Sequence, residues 1–371
     1  MELFFDLVFV FAVTEVTAFT LDHLDWGGVA RSTLVFWMIW WAWTQWTWAL
    51  NPADTTHLVV RVATLFATAV AFLMAASVHA AFDEAASWFA ATYVIVRVIG
   101  LLVYALVASE SHDRLHAVAV FAFASVAGLV VVLIGAMASP EARPWWWLAA
   151  VLLDLGAAAV GGRQRGWDLH AGHFAERHGL FVIIALGESL IVVGLTVAGS
   201  EKNNDLLAVA IGAVAVVCLL WWTYFGWLHG ALEVALHAAH DDAALARDAF
   251  SLIYFPLIGG VIGIAAGFEE MVHHPAERLD PVVLRVLAVG LLLFAGGAAL
   301  AWFRVSSEVL VPRLLIATVT TIVLLLAGEA QPVALLTLVV IALVAIAVVE
   351  GARPSGATRE PALTGDPDGG R

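Results

Sequence analysis

The chain has 371 residues, 62% of them apolar and 13% charged, with a formal net charge of −14. Its mean hydropathy is +0.94, and soluble domains carry about a quarter charged residues, so a soluble globule of this composition has too little polar surface to cover itself. The single cysteine, Cys218, excludes an internal disulfide or a cysteine-based metal cluster, and the acidic balance excludes nucleic acid, which needs basic grooves.

A helix needs about 20 apolar residues to cross the hydrocarbon core. Twelve such segments follow one another, at roughly 3–21, 29–49, 58–79, 87–108, 117–137, 145–162, 180–198, 206–227, 249–268, 284–303, 310–328 and 333–350. They predict an all-α fold, a polytopic transmembrane helical bundle of about twelve helices. The first segment, within ELFFDLVFVFAVTEV, carries Glu2, Asp6 and Glu15 and has no Lys or Arg before Arg31, so it is no secretory signal. Asp6 lies one turn into this helix; Glu15 is roughly 13–14 Å deeper, near mid-membrane. The second segment holds FWMIWWAWTQWTWALN, with Trp37, Trp41 and Trp48 on one face and Gln45 as its strongest polar group. Such a band either lines a cavity for an apolar or cationic ligand or packs against lipid and neighbours. Arg61 stands at the start of the third segment, His79 stands alone near its outer end, and Arg97 lies in the fourth.

The stretch 163–179 contains HAGHFAERH, with His170, His173, Glu176, Arg177 and His178, and the seventh segment carries Glu188 and Ser189 near its middle. A second histidine group, His229, Glu233, His237 and His240, lies in the connection 228–248, followed by Arg247. A third, Glu269, Glu270, His273 and His274, follows the ninth segment, and Arg285 opens the tenth. Acid and imidazole at three- or four-residue spacing suit metal ligation, but all three groups sit in loops or at helix ends, and the third falls on the opposite side from the others. Surface histidine is the expected reading, with no metal and no cofactor. Lys and Arg in short loops set orientation: with the N-terminus inside, Arg114, Arg163, Arg165, Arg177, Arg304, Arg313, Arg353, Arg359 and Arg371 are cytoplasmic, against Arg143, Lys202 and Arg278 outside. Both termini are therefore expected in the cytoplasm.

The opening stretch has an echo at ERHGLFVIIALGESL (176–190). FWMIWWAW (36–43) faces LLWWTYFGW (219–227), Arg61 faces Arg247, and Arg97 in IVRVIGLLVY faces Arg285 in VLRVLAVGLLLF. Six helices in each half would make the halves parallel repeats about an axis along the membrane normal. The chain then divides into a first transmembrane half (1–162), a cytoplasmic linker (163–179), a second transmembrane half (180–350) and a disordered cytoplasmic tail (351–371), the tail being rich in Pro, Gly, Asp and Arg.

ELFFDLVFVFAVTEV, the Trp-rich helix ending in WALN (48–51), and HFAERHGLFVIIALGESLIVVG (173–194) resemble the bacterial low temperature requirement protein A (LtrA) family, from Glu2 to about Glu350. The resemblance implies a multi-helix integral protein of the bacterial plasma membrane, named for a cold-growth phenotype, and supplies no substrate or reaction. Members usually carry residues before the ELFFD pattern, so a truncated start is expected; Glu15 stands where many members have Gln.

Acids within the membrane line a bundle interior, pair with a base or mark an ion path. Asp6, Glu15 and Glu188, with Ser189, Gln45 and Trp41, are the candidate substrate or ion path; Arg61, Arg97, Arg247 and Arg285 are candidate charge partners, with Arg97 and Arg285 the natural partners of the deep acids. No G-x-x-x-x-G-K-[ST], H-E-x-x-H or G-x-S-x-G motif is present, and LGES lies within an apolar helix rather than at a strand-to-helix turn. The leading expectation is a proton-coupled secondary transporter or ion-conducting protein acting on a small solute or the proton itself. Two alternatives stand beside it: a membrane enzyme with a cytoplasmic-face site at Asp6, His173, Glu176 and Arg177, and a structural or sensory protein whose acids and arginines lock helices together. The expected partner is the lipid bilayer; the sequence sets no oligomeric state.

Overall fold

The computed structural model describes residues 1–164, 167, 169–239, 242–327 and 330–351. The expected tail beyond Gly351, Arg165 and His240 lie outside the described residues. Among the described residues the elements are α1 (Glu2–Asp22), α2 (Trp26–Leu50), α3 (Leu58–Ala75), α4 (Ala86–Ala108), α5 (His112–Met137), α6 (Arg143–Gly161), α7 (Ala171–Gly199), α8 (Asn204–Phe225), α9 (Leu228–Ala238), α10 (Ala243–Ala246), α11 (Tyr254–His273), α12 (Pro281–Ser306), α13 (Val311–Leu326) and α14 (Pro332–Gly351). A short 3-10 turn, Val78–Ala80, follows α3, and a π-helical segment, Arg247–Leu252, joins α10 to α11.

Local chemistry places the boundaries. Asp25 and Asn203 accept the amides of Gly28 and Leu206, each at 2.8 Å, and so cap α2 and α8. Asp280 accepts the Val282 amide at 2.7 Å, with Pro281 at the first position of α12, where its missing N–H costs nothing. α12 ends at Ser307, whose φ of 60° stops the helix.

Ten helical stretches among the described residues are long and apolar enough to cross a membrane. α2 is 25 residues long but falls outside that set, because its Trp, Thr and Gln lower its hydropathy. It tolerates them because it packs on α1, α4, α6, α7 and α11 instead of on lipid. α13 has 16 residues, roughly 24 Å of helix, and is the other shortfall. The chain is an all-α, multi-span membrane bundle with ten to twelve candidate crossing helices. Phe123, Ile211 and Leu326, on α5, α8 and α13, are 85%, 70% and 82% exposed, an apolar exterior suited to acyl chains rather than water.

Three boundaries differ from the sequence reading. α3 stops four residues early, at Ala75, and the chain turns through Val78–Ala80. α7 begins at Ala171, inside the expected linker, because Phe174, Ala175 and His178 bury one stripe of its first turns. The connection 228–248 holds α9, where Leu228, Leu232 and Leu236 form a buried stripe at four-residue spacing. Eleven residues are too few to register as a crossing helix. The closest crossing is α11 on α12: a Cβ added at Gly260 would lie 2.5 Å from the Phe294 amide nitrogen and 2.6 Å from the Gly290 carbonyl oxygen. Small residues bring backbones together in this way inside membranes.

Candidate functional site

α1 and α7 start on the same face of the bundle, and their first turns carry opposite charges toward each other. Asp6, 1% exposed, accepts the Arg177 guanidinium through Oδ1 at 2.7 Å and the Trp43 indole N–H of α2 at 2.8 Å. Arg177 also lies 3.4 Å from Glu2, whose carboxylate stands 3.0 Å from His173, and its guanidinium sits 5.8 Å from the centre of the Trp43 ring. Asp6 is therefore clasped, its charge met by a buried arginine. Glu176, next to Arg177 in sequence, is exposed and faces the α9 side, within electrostatic range of His229. Of the cytoplasmic-face cluster, His173 and Arg177 meet α1 and Glu176 does not.

Two further clasps cross the interior. Arg97 of α4, fully buried, binds Asp154 of α6 through two parallel bonds of 2.9 Å. It also reaches the Gln45 carbonyl of α2 and the Tyr93 hydroxyl, while the Gln45 amide donates to the Arg97 backbone carbonyl at 2.8 Å. Arg313 of α13 grips Glu350 of α14 at 2.7 and 2.5 Å and donates to the Thr223 carbonyl of α8 at 2.6 Å. Sequence reasoning missed both acids. Asp154 was findable by the rule applied to Glu188, an acid deep in an apolar run; Glu350 closes its helix and looks like a chain-end charge.

The expected pairing of Arg97 and Arg285 with the deep acids is corrected here. Arg97 is occupied by Asp154, and Arg285 is exposed, its guanidinium 5.9 Å from the Trp26 ring centre. Both miss Glu15 and Glu188 because their helices turn those positions toward α6 and toward the surface. Arg61 is exposed on the first turn of α3. Glu15 faces His79, 3.9 Å away, which also pairs with Asp22; His79, isolated in sequence, is thus placed among acids by the turn after α3. Glu188, 6% exposed, has neither a salt bridge nor a hydrogen bond among the described residues, and its charge lies within electrostatic range of Glu269 on α11, as does that of Asp22. The neighbouring Ser189 donates to the Ala185 carbonyl at 3.3 Å.

On the far side of α2 from Asp6 lies a cavity, open on one side, lined by Trp41, Thr44, Gln45, Trp48, Tyr104, Phe121, Trp167, Arg247 and Ser251 among others. Positions 41, 44, 45 and 48 share one face of α2. The π-helical segment supplies the opposite wall. Its extra backbone width turns the Ser251 carbonyl to the Trp40 indole at 2.7 Å and the Ser251 hydroxyl to the Trp48 indole at 2.9 Å. Arg247 bonds Asp248 at 2.9 and 2.6 Å and the Ala158 carbonyl at 3.2 Å. The structure thus brings Trp41, Gln45 and Arg247 to one place and Asp6, His173 and Arg177 to another, with Glu15 and Glu188 apart from both.

Among the described residues, no group of three or more His, Cys, Asp or Glu is placed to hold a metal ion. His170 ties the chain to the end of α2, its amide donating to the Asn51 side chain at 2.6 Å. His178 packs between Trp43, Phe174 and Tyr254. His273 and His274 are exposed.

Residues 1–349 match the family model described as bacterial low temperature requirement A protein (LtrA). An uncharacterised protein of Rhizobium meliloti (strain 1021) is 28% identical over 328 residues, covering 83% of this chain and 78% of that protein. No solved structure matches.

Proposed function

The chain belongs to the bacterial low temperature requirement A protein (LtrA) family, and from that premise we propose that it is a proton-linked carrier of a small solute. In this reading it crosses the plasma membrane twelve times with both termini in the cytoplasm. One observation carries the proposal: Glu188 is buried in the seventh helix of the twelve, with no salt bridge or hydrogen bond among the described residues. An acid placed inside a membrane bundle without a partner commonly marks a substrate or ion path.

The proposed halves are parallel repeats of six helices. What supports this is the order of packing. α1 packs on α2 and α3, α3 on α4, α4 on α5 and α5 on α6; α7 packs on α8 and α11, α11 on α12, α12 on α13 and α13 on α14. In each half an acid of the first helix lies near the outer end of the third: Glu15 is 3.9 Å from His79, and Glu188 is within electrostatic range of Glu269. The first half offers a base and the second an acid. In this reading the proton belongs to the second half, while Asp6, held by Arg177, positions α1 against α7.

The test is proton flux into proteoliposomes carrying an internal pH dye. The Glu188→Gln chain is expected to fold as before and to fall to the rate of protein-free vesicles. Equal flux from both proteins, or none from the unaltered chain, removes the reading. A second reading, a structural or sensory membrane protein without turnover, draws on the three buried arginine–acid clasps. It expects Glu188→Gln to change nothing and Arg177→Met to impair assembly.

A further inference from the structure

Three α2 side chains, Trp37, Trp41 and Thr44, hold buried polar atoms without a partner among the described residues, and two of them line the same cavity. Trp40, Trp43, Trp46 and Trp48 each donate their indole N–H, to Ser251, Asp6, Val96 and Ser251 respectively. Thr47 donates its hydroxyl back to the Trp43 carbonyl at 3.1 Å, as threonines in apolar helices commonly do. Trp41 and Thr44, 4% and 2% exposed, have an indole nitrogen and a hydroxyl without a partner among the described residues, and both border the cavity. Trp37, stacked on Trp41 at 5.6 Å, also lacks a partner but lies outside the lining.

Buried donors are nearly always satisfied, so two open ones on one helical face, three residues apart, call for an acceptor between them. The surrounding walls are aromatic: Trp48, Trp167, Tyr104 and Phe121 present ring faces and edges to the same space. Among the described lining residues, Arg247 directs its guanidinium to Asp248 and the Ala158 carbonyl. Gln45 is likewise engaged by Arg97.

We propose that this cavity is a binding site for a small, uncharged, planar aromatic molecule bearing one acceptor oxygen, with the oxygen taken by the Trp41 indole N–H and the Thr44 hydroxyl. The inference concerns binding alone and does not depend on whether the protein moves protons.

The test uses the full chain in lipid nanodiscs and isothermal titration, with empty nanodiscs subtracted for partition into lipid. Three probes share one ring system: 2-acetonaphthone with an acceptor oxygen, 2-ethylnaphthalene without it, and 2-naphthoate with a charge. 2-Acetonaphthone is expected to bind saturably at one site and more tightly than either of the others. Thr44→Val is expected to weaken it by about 5–10-fold, the worth of one hydrogen bond, and to leave 2-ethylnaphthalene unchanged. Trp41→Phe is read in the same way and decides the matter where Thr44→Val does not fold. Glu188→Gln is expected to bind 2-acetonaphthone as the unaltered chain does, which separates this site from the proton reading. Equal affinity for the ketone and the hydrocarbon, tighter binding of the carboxylate, no saturable binding, or indifference to both substitutions overturns the proposal.

Discussion

Asp154 answers the Arg97 guanidinium with both of its oxygens in a region that water does not reach. Taking two charges out of water costs several kcal/mol per ion, and only good geometry with further donors repays it. Here the further groups are Gln45 and Tyr93. Removing one member alone strands the other charge. Asp154→Ala is therefore expected to cost about 3–5 kcal/mol, measured by denaturant unfolding in mild detergent. Arg97→Met combined with Asp154→Leu is expected to recover most of that loss, since an apolar pair of similar volume packs without charge. The existence of buried charge was legible at this scale, because an acid or arginine inside a run of Leu, Val and Ala stands out wherever it falls. The choice of partner was not legible. Arg97 meets an acid 57 positions away, and Asp6 meets an arginine 171 positions away; which residue lies opposite depends on helix rotation, which hydropathy does not encode.

Helix α2 is where element-level reasoning was most incomplete. A stripe of tryptophans was readable from spacing, and so was the choice between cavity and lipid. Its central position was not, because periodicity reports one favoured face and α2 is surrounded by five other helices. That surrounding explains why its indoles turn to backbone carbonyls and carboxylates rather than to a membrane interface. The α11–α12 crossing makes an equally definite demand on sequence. A side chain at Gly260 has backbone atoms of α12 at 2.5 and 2.6 Å from its first carbon, so relief requires the helices to part. Gly260→Val is expected to abolish the monodisperse folded species in size-exclusion chromatography. Gly296→Ala, with open space around the added carbon, is expected to elute unchanged.

For the whole molecule, the multi-span helical class was set by composition, and the twelve segments each found a helix because hydrophobic length is a one-dimensional property. α9 and the π-helical segment escaped detection because they are short and gain their order from tertiary contact. The orientation proposed above makes a further testable statement. With Cys218, an exposed residue on α8, replaced by Ala, a cysteine at Glu201 is expected to react with an impermeant maleimide from outside intact cells. A cysteine at Glu110 is expected to react only after the cells are opened. The reverse pattern would invert the bundle. The Asp6–Arg177 clasp also has a consequence for biosynthesis. Ribosomes add about 5–20 residues per second, so the 171 positions between the two partners take roughly 10–30 s to make at that rate. During that interval α1 has been translated with an acid but not the arginine that will neutralise it. Until α7 arrives, Asp6 waits without the arginine that pairs with it in the finished bundle.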